Sequence, residues 1–170
     1  MLIDIQISVS DNSFELYRAS VAEKEMSLLK AARENSLSRC EQLLAAGSDV
    51  GERNKKGWTP LLSAAHHGNT EVCRLLLERG KANIEERTPC GNTALNLAAR
   101  KGHARTVSLL VSKGARLDTK DRKGYTPFLA AVEKGHIEVC KVLLETGEVN
   151  VKETRDGLIH DFYICSLHGR

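Results

Sequence analysis

The chain has 170 residues, of which 41% are hydrophobic and only 4% aromatic, and its formal net charge is +3. This mild charge does not by itself indicate nucleic-acid binding, and no apolar run approaches the length of a membrane span. The first residues lack the basic segment of a signal peptide, so we expect none.

Residues 1–19 form an N-terminal extension with a strand-like pattern. Ile3, Ile5, Ile7 and Val9 alternate with polar residues, which is the periodicity of a half-buried strand. No partner strand is evident in the sequence. Two interpretations stay open: a disordered lead-in, or an extended arm packed on the structure that follows.

Residues 20–53 are predicted to form two short helices. Ser20 and Glu23 have capping-box spacing, so the first helix is expected to begin near Val21. Asn35 separates the two helices, in keeping with its tolerance of the left-handed conformation. The apolar positions of the pair are Leu28, Leu29, Ala31, Ala32, Cys40, Leu43 and Leu44.

Residues 54–86 carry a fuller version of the same pattern. Residues 55–58 have the composition of a hairpin-like tip, and Thr59-Pro60 is a favourable N-cap and first helical position. Gly68 is expected to end this helix, and Thr70 to cap the next one.

The pattern then recurs along the chain. Gly57, Gly91, Gly124 and Gly157 are spaced by 34, 33 and 33 residues. The words that follow are Trp58-Thr59-Pro60-Leu61, Asn92-Thr93-Ala94-Leu95 and Tyr125-Thr126-Pro127-Phe128. Further glycines recur as Gly68, Gly102 and Gly135, and as Gly47, Gly80, Gly114 and Gly147. A period near 33 with this helix start resembles the ankyrin repeat family.

This resemblance implies an all-α solenoid of stacked helix-turn-helix units, with hairpin-like fingers and an L-shaped cross-section. It makes 20–53 an N-terminal capping repeat and 154–170 a partial, degenerate fifth repeat. The full repeats are 54–86, 87–120 and 121–153. The sequence departs from the family pattern at Leu62, Asn96 and Leu129, where a His is usual, so the polar bracing of that His is not expected.

The cysteines indicate a compartment. Cys40, Cys73 and Cys140 each lie seven residues before a glycine that closes a unit, at positions predicted to be buried. Equivalent positions in neighbouring repeats are too far apart for a disulfide. We therefore expect free core thiols and a cytoplasmic or nuclear protein. Cys90 is expected to be exposed at a finger tip.

No arrangement of residues predicts catalysis. The chain lacks a nucleophile–base set and a phosphate-binding glycine loop, so we expect no enzyme, no cofactor and no metal site. His66 and His67 are adjacent on a helix and diverge by about 100°, which does not suit a shared metal ion. The resemblance places them at the rim of a concave face, as partner contacts or as solvated surface.

The finger tips and rim carry the predicted partner-binding residues. Aromatic and Arg side chains are common interface anchors, although a solvated charged rim is the other interpretation. The predicted residues are Lys55, Lys56, Trp58, His66, His67, Asn92, Arg100, Lys101, Arg122, Lys123, Tyr125, Glu133 and Lys134.

The predicted function is therefore non-catalytic binding of a protein partner, acidic or mixed in charge, without nucleic acid. Two alternatives are a targeting or autoinhibitory fragment of a larger enzyme or channel, and a short free-standing regulator of a kinase or transcription factor. The chain is expected to be a monomer unless its C-terminal end self-associates.

Overall fold

The structure is a computed structural model that describes residues 27–146. These residues form eight helices and no strand. The helices are α1 (Leu28–Arg33), α2 (Leu37–Ala45), α3 (Pro60–His67), α4 (Thr70–Glu78), α5 (Ala94–Lys101), α6 (Ala104–Ser112), α7 (Pro127–Glu133) and α8 (Ile137–Glu145). The predictions for the N-terminal extension, the helix start near Val21 and the fifth repeat lie outside the described residues.

The helices stack in two rows. Each odd-numbered helix packs on the even-numbered helix that follows it, and each row packs helix against successive helix. Alanine pairs such as Ala64-Ala65 and Ala98-Ala99 are fully buried where the odd-numbered helices meet. Small side chains let these helices approach closely, so the core runs along the stack. The all-α solenoid predicted from the repeat is confirmed.

The first helix of each full repeat begins where the sequence predicts. Thr59, Thr93 and Thr126 are the N-caps of α3, α5 and α7, and each hydroxyl accepts a hydrogen bond from the backbone N–H three residues later. Such a cap is worth about 1 kcal/mol. Asn35 also has the predicted left-handed conformation, with φ of 57°.

The second helix of the repeat starts differently from the prediction. Thr70 is the first residue of α4, and the N-cap is Asn69, which makes no side-chain bond to its own helix. The Thr70 hydroxyl instead lies 2.8 Å from that of Thr106 in the next unit.

The residue before each second helix joins two units. Asn69 donates to the carbonyl oxygens of Ala32 (2.7 Å) and Arg33 (3.1 Å) at the end of α1. Nε2 of His103 lies 3.1 Å from the carbonyl oxygen of His66, at the end of α3. These side chains satisfy carbonyl groups that a helix end otherwise leaves unpaired.

The same arrangement follows at the next junction. Nε2 of His136 lies 3.0 Å from the carbonyl oxygen of Arg100, and its ring covers Gly102. A Cβ at Gly102 would lie 2.7 Å from Nδ1 of that ring. Glycine is therefore needed here both for its φ of +79° and for space.

Polar bracing is present in one unit where none was expected. Asn96 is fully buried, and its amide nitrogen donates to the carbonyl oxygens of Thr119 (3.2 Å) and Tyr125 (3.3 Å). Its side-chain oxygen also accepts from the hydroxyl of Thr119 (3.0 Å). The prediction that this position lacks bracing is wrong for Asn96, because an amide offers both a donor and an acceptor.

The predicted core cysteines are buried. Cys40 and Cys73 are fully buried and Cys140 is 4% exposed, whereas Cys90 is exposed. Burial raises the pKa of Cys40 and Cys140 to about 11 and that of Cys73 to about 12. The thiolate, which is the reactive form, is therefore strongly disfavoured at all three positions.

We predict that alkylation of the native protein at pH 8 labels Cys90 far faster than Cys40, Cys73 and Cys140. The buried thiols lack both access and thiolate character. Peptide mass spectrometry after timed quenching measures each rate, and unfolding in guanidinium should bring the four rates together. Equal rates in the native protein would contradict the burial.

We also predict that Gly102→Ala destabilises the protein more than Gly114→Ala. Both positions have left-handed φ values, +79° and +83°, but a Cβ at Gly114 meets nothing within 4 Å in the described part of the chain. The left-handed conformation costs about 1–2 kcal/mol in each variant, and overpacking against His136 adds about 1–3 kcal/mol in Gly102→Ala. Urea unfolding measures the difference, and equal losses would contradict the close contact.

Candidate binding surface

Three loops project from the stack with the same internal geometry: finger 1 (residues 53–58), finger 2 (87–92) and finger 3 (120–125). In each, the second residue donates its backbone N–H to the carbonyl of the last residue. The N···O distances are 3.0 Å for Asn54 and Trp58, 2.9 Å for Thr88 and Asn92, and 3.0 Å for Asp121 and Tyr125.

Side chains reinforce these turns. The Asn54 side-chain oxygen accepts from the backbone N–H groups of Lys56 (2.9 Å) and Trp58 (3.0 Å). Asp121 does the same for Lys123 and Tyr125, at 2.9 Å each. In such Asx turns a side-chain oxygen of the loop accepts hydrogen bonds from backbone N–H groups of the same loop, which fixes the conformation of its tip.

Two arginines tie the fingers together. Arg53 donates to the carbonyl oxygens of Gly57 in finger 1 (2.9 Å) and Arg87 in finger 2 (3.1 Å). Arg87 in turn donates to Gly91 in its own finger (3.1 Å) and to Lys120 in finger 3 (3.0 Å). The fingers are therefore cross-linked in sequence through one equivalent side chain.

Five of the predicted contact residues meet in one cleft. It has a volume of about 520 Å³ and lies between α1, finger 1 and α3. Its lining has three cationic side chains, two histidines and one tryptophan, without a carboxylate. The lining residues are Leu29, Arg33, Asn54, Lys55, Lys56, Trp58, Ser63, His66 and His67.

An aromatic pair forms one wall of this cleft. The rings of Trp58 and His66 meet edge to face, with centroids 5.1 Å apart. Burial lowers the pKa of His66, and the charges of Lys101, His67 and His103 lower it further. Its Nδ1 is buried without a hydrogen-bond partner. At neutral pH this wall is therefore uncharged, amphipathic and next to the exposed cations of finger 1.

A second group of predicted residues is internally neutralised. Arg100 donates to Asp121 at 2.7 Å, and its guanidinium lies 5.9 Å from the centroid of the Tyr125 ring. Burial opposes ionisation of Asp121, but the amides of Tyr125 and Lys123 and the Arg100 guanidinium outweigh it, so the pKa of Asp121 is lowered. Arg100 therefore fixes finger 3 against α5.

Three predicted contact residues are less available than the sequence implied. Asn92 is only 6% exposed, and its side-chain oxygen is buried without a partner. It occupies the place of Trp58 and Tyr125, but the shorter side chain does not reach the surface. Glu133 and Lys134 are exposed and form an ion pair at 3.4 Å.

The remaining predicted cations are Lys55, Lys56, Lys101, Arg122 and Lys123. All five are exposed, and none takes part in an ion pair between described residues. They supply unneutralised positive charge to this surface.

Arg33 was missed from the sequence, although it lines the cleft beside Lys55 and Lys56. It stands two residues before Asn35, as His66 stands two residues before Gly68. Extending the rim positions into the capping unit would have found it.

Residues 27–146 contain neither a metal site nor a membrane-spanning helix. No group of three His, Cys, Asp or Glu side chains could hold a metal ion there. No helix in that range is both long and apolar enough to cross a membrane.

Comparison with known proteins gives a family profile of ankyrin repeats in three copies, which matches residues 28–121 and 80–155. Mouse ankyrin repeat domain-containing protein 17 is 43% identical over 81 residues, covering 47% of this chain and 3% of the relative. Mouse protein fem-1 homolog A-like is 38% identical over 98 residues, covering 58% and 15%. The fowlpox virus putative ankyrin repeat protein FPV031 is 29% identical over 133 residues, covering 76% and 39%.

We predict that Asp121→Asn destabilises the protein by about 1.5–3 kcal/mol at pH 7, the range for a hydrogen bond to a charged group. Asparagine can still accept the two finger amides, as Asn54 does, so the loss isolates the bond to Arg100. Because the folded pKa of Asp121 is lowered, its contribution is present above the unfolded pKa and is lost as the pH falls through the folded pKa.

Urea unfolding at several pH values measures this effect. Glu133→Gln is the matched control, since its exposed pair with Lys134 should contribute under about 1 kcal/mol. A loss for Asp121→Asn that persists unchanged at acid pH would contradict the role of the carboxylate.

Proposed function

Because the chain belongs to the ankyrin repeat family, we propose that it binds a protein partner through its concave groove and finger tips. Ankyrin repeats are protein–protein interaction modules, and the family is generally non-catalytic. The observation that carries the proposal is the cleft between α1, finger 1 and α3, which joins a tryptophan to three cations.

The chemistry of that cleft resembles a protein-binding hot spot. Trp and Arg are enriched among residues that dominate binding energy, particularly where water is excluded. Trp58 is half-buried and makes an edge-to-face contact with His66, so an apolar partner side chain can cover it at small entropic cost. The cations around the ring would orient that partner.

The partner is proposed to be acidic or mixed in charge. Lys55, Lys56, Lys101, Arg122 and Lys123 are exposed on the fingers and rim without internal ion pairs. Complementary charge on the partner would raise the association rate and favour one orientation. The protein is also proposed to act as a monomer. A location in the cytoplasm or nucleus fits the buried free thiols at Cys40 and Cys73.

The same surface would serve a second candidate function, contact within a larger protein. The chain spans between 3% and 39% of the lengths of the three relatives named above. The matching segments of those relatives therefore lie within longer chains. A targeting or autoinhibitory role, or regulation of a kinase or transcription factor, would use the same groove.

We predict that Trp58→Ala combined with Tyr125→Ala weakens capture of the native partner at least tenfold. Affinity purification from the native source, quantified by mass spectrometry, compares this variant with wild type. Leu37→Ala combined with Ile137→Ala is the matched control. These apolar residues are 39% and 45% exposed and lie on the even-numbered helices α2 and α8, away from the cleft.

Thermal unfolding of every variant separates binding from folding, since Trp58 also packs against the core. If the aromatic variant is unfolded, Lys55→Glu combined with Lys56→Glu replaces it, because both side chains are exposed. Capture that survives in all folded groove variants but is lost in the control would overturn the proposed surface.

A further inference from the structure

The exposed charge of the three finger tips alternates. The tip of finger 1 carries Lys55 and Lys56, and the tip of finger 3 carries Arg122 and Lys123. The tip of finger 2, Pro89-Cys90-Gly91, has no charged side chain, although Pro89 and Cys90 are exposed. Two cationic tips are therefore separated by one neutral tip.

Arg53 and Arg87, which precede the tips of fingers 1 and 2, are bound to the backbone and leave the alternation of charge among the tip side chains unchanged. Arg53 directs its guanidinium at two backbone carbonyl groups and lies 3.5 Å from Glu86. Arg87 is likewise bound to two carbonyl groups. Nη1 of each arginine is thus held by backbone carbonyl groups. The tip cations at residues 55, 56, 122 and 123 are exposed and make no side-chain bond to another described residue, so their side chains are available to a partner.

The separation of the cationic tips is fixed by direct packing. A Cβ on Gly57 in finger 1 would lie 2.7 Å from Cγ of Pro89 in finger 2. The backbone N–H of Arg122 in finger 3 donates to the carbonyl oxygen of Cys90 at 3.0 Å. Each tip thus rests on the next, in addition to the bridges made by Arg53 and Arg87.

Units stacked through helices lie about 8–10 Å apart, so the first and third tips are about 16–20 Å apart. An extended chain rises about 3.3 Å per residue. A partner segment therefore needs about five or six residues to pass from one cationic tip to the other.

We propose that fingers 1 and 3 together bind a protein segment with two acidic clusters, separated by about five or six uncharged residues in extended conformation. This inference rests on the proposed function and specifies the partner for the same surface. The uncharged stretch crosses Pro89 and Cys90, and each acidic cluster meets one pair of cations.

The alternating charge favours such a segment over nucleic acid. A nucleic-acid strand carries phosphates at short, regular intervals, so several of them would face the neutral tip of finger 2 without compensation. The overall charge of +3 is also small for that role. An interrupted acidic pattern places its charges only where the protein places cations.

Fluorescence anisotropy with the full chain tests the spacing. The probes are labelled synthetic peptides that carry two Glu-Glu clusters separated by one or by six residues, and a third peptide that carries a single cluster. With a spacer of one residue the outermost glutamates lie only about 13 Å apart in an extended chain, too short to span the two tips, so that peptide should bind like the single cluster. The six-residue spacer should bind at least tenfold more tightly, because the second contact becomes intramolecular.

Charge-reversal variants test the tips separately. Lys55→Glu with Lys56→Glu, and Arg122→Glu with Lys123→Glu, should each reduce the six-residue peptide to single-cluster affinity. Arg105→Glu with Lys141→Glu changes the net charge equally at exposed positions on the even-numbered helices, away from the tips, and should change the affinity less than threefold.

Four results would overturn the proposal. The first three are equal affinity for the one-residue and six-residue spacers, equal loss in the control, and stronger binding of labelled duplex DNA that the tip variants abolish. Capture of the native partner that is lost with the Trp58 and Tyr125 substitutions but retained in both tip variants would also overturn it. That last result would leave the proposed function in place.

Discussion

The stack depends on one hydrogen bond that crosses from each unit to the preceding one. Asn69, His103 and His136 stand at the start of the second helix of a unit, and each reaches a carbonyl group that ends the first helix of the unit before. Because the bond closes a helix end and also joins the next unit, it holds the start of the second helix of one unit against the first helix of the unit before. These junctions and the contacts between fingers together keep the spacing of the fingers.

The binding surface inherits its rigidity from that junction. His103 covers Gly68 while bonding the carbonyl of His66, so the same ring orders the wall of the cleft that includes Trp58. Arg53 and Arg87 then fix each finger to the next one through hydrogen bonds to backbone carbonyl groups. A partner therefore meets side chains whose backbone is already fixed, which lowers the entropy lost on binding.

Much of the fold could be predicted from the sequence because its signals are local. Thr59, Thr93 and Thr126 cap helices with atoms only three residues away. The junction bonds could not be predicted in this way, since the donor and acceptor are 36 or 37 residues apart. For the surface, the charges could be predicted from the sequence, but the exposure of each side chain could not. Asn92 aligns with Trp58 and Tyr125, yet its side chain is too short to reach the surface and is buried.

Within each finger, the residues that hold the loop in place differ from the residues that would contact a partner. Arg53 and Arg87 hold the loops through backbone carbonyl groups, which every amino-acid sequence provides. Replacing the side chains at residues 55, 56, 122 and 123 therefore leaves the acceptors of these bridges unchanged. The tip residues can therefore change during evolution while the scaffold beneath them stays constant. Duplicated copies of such a chain can acquire new partners through sequences that all still fold.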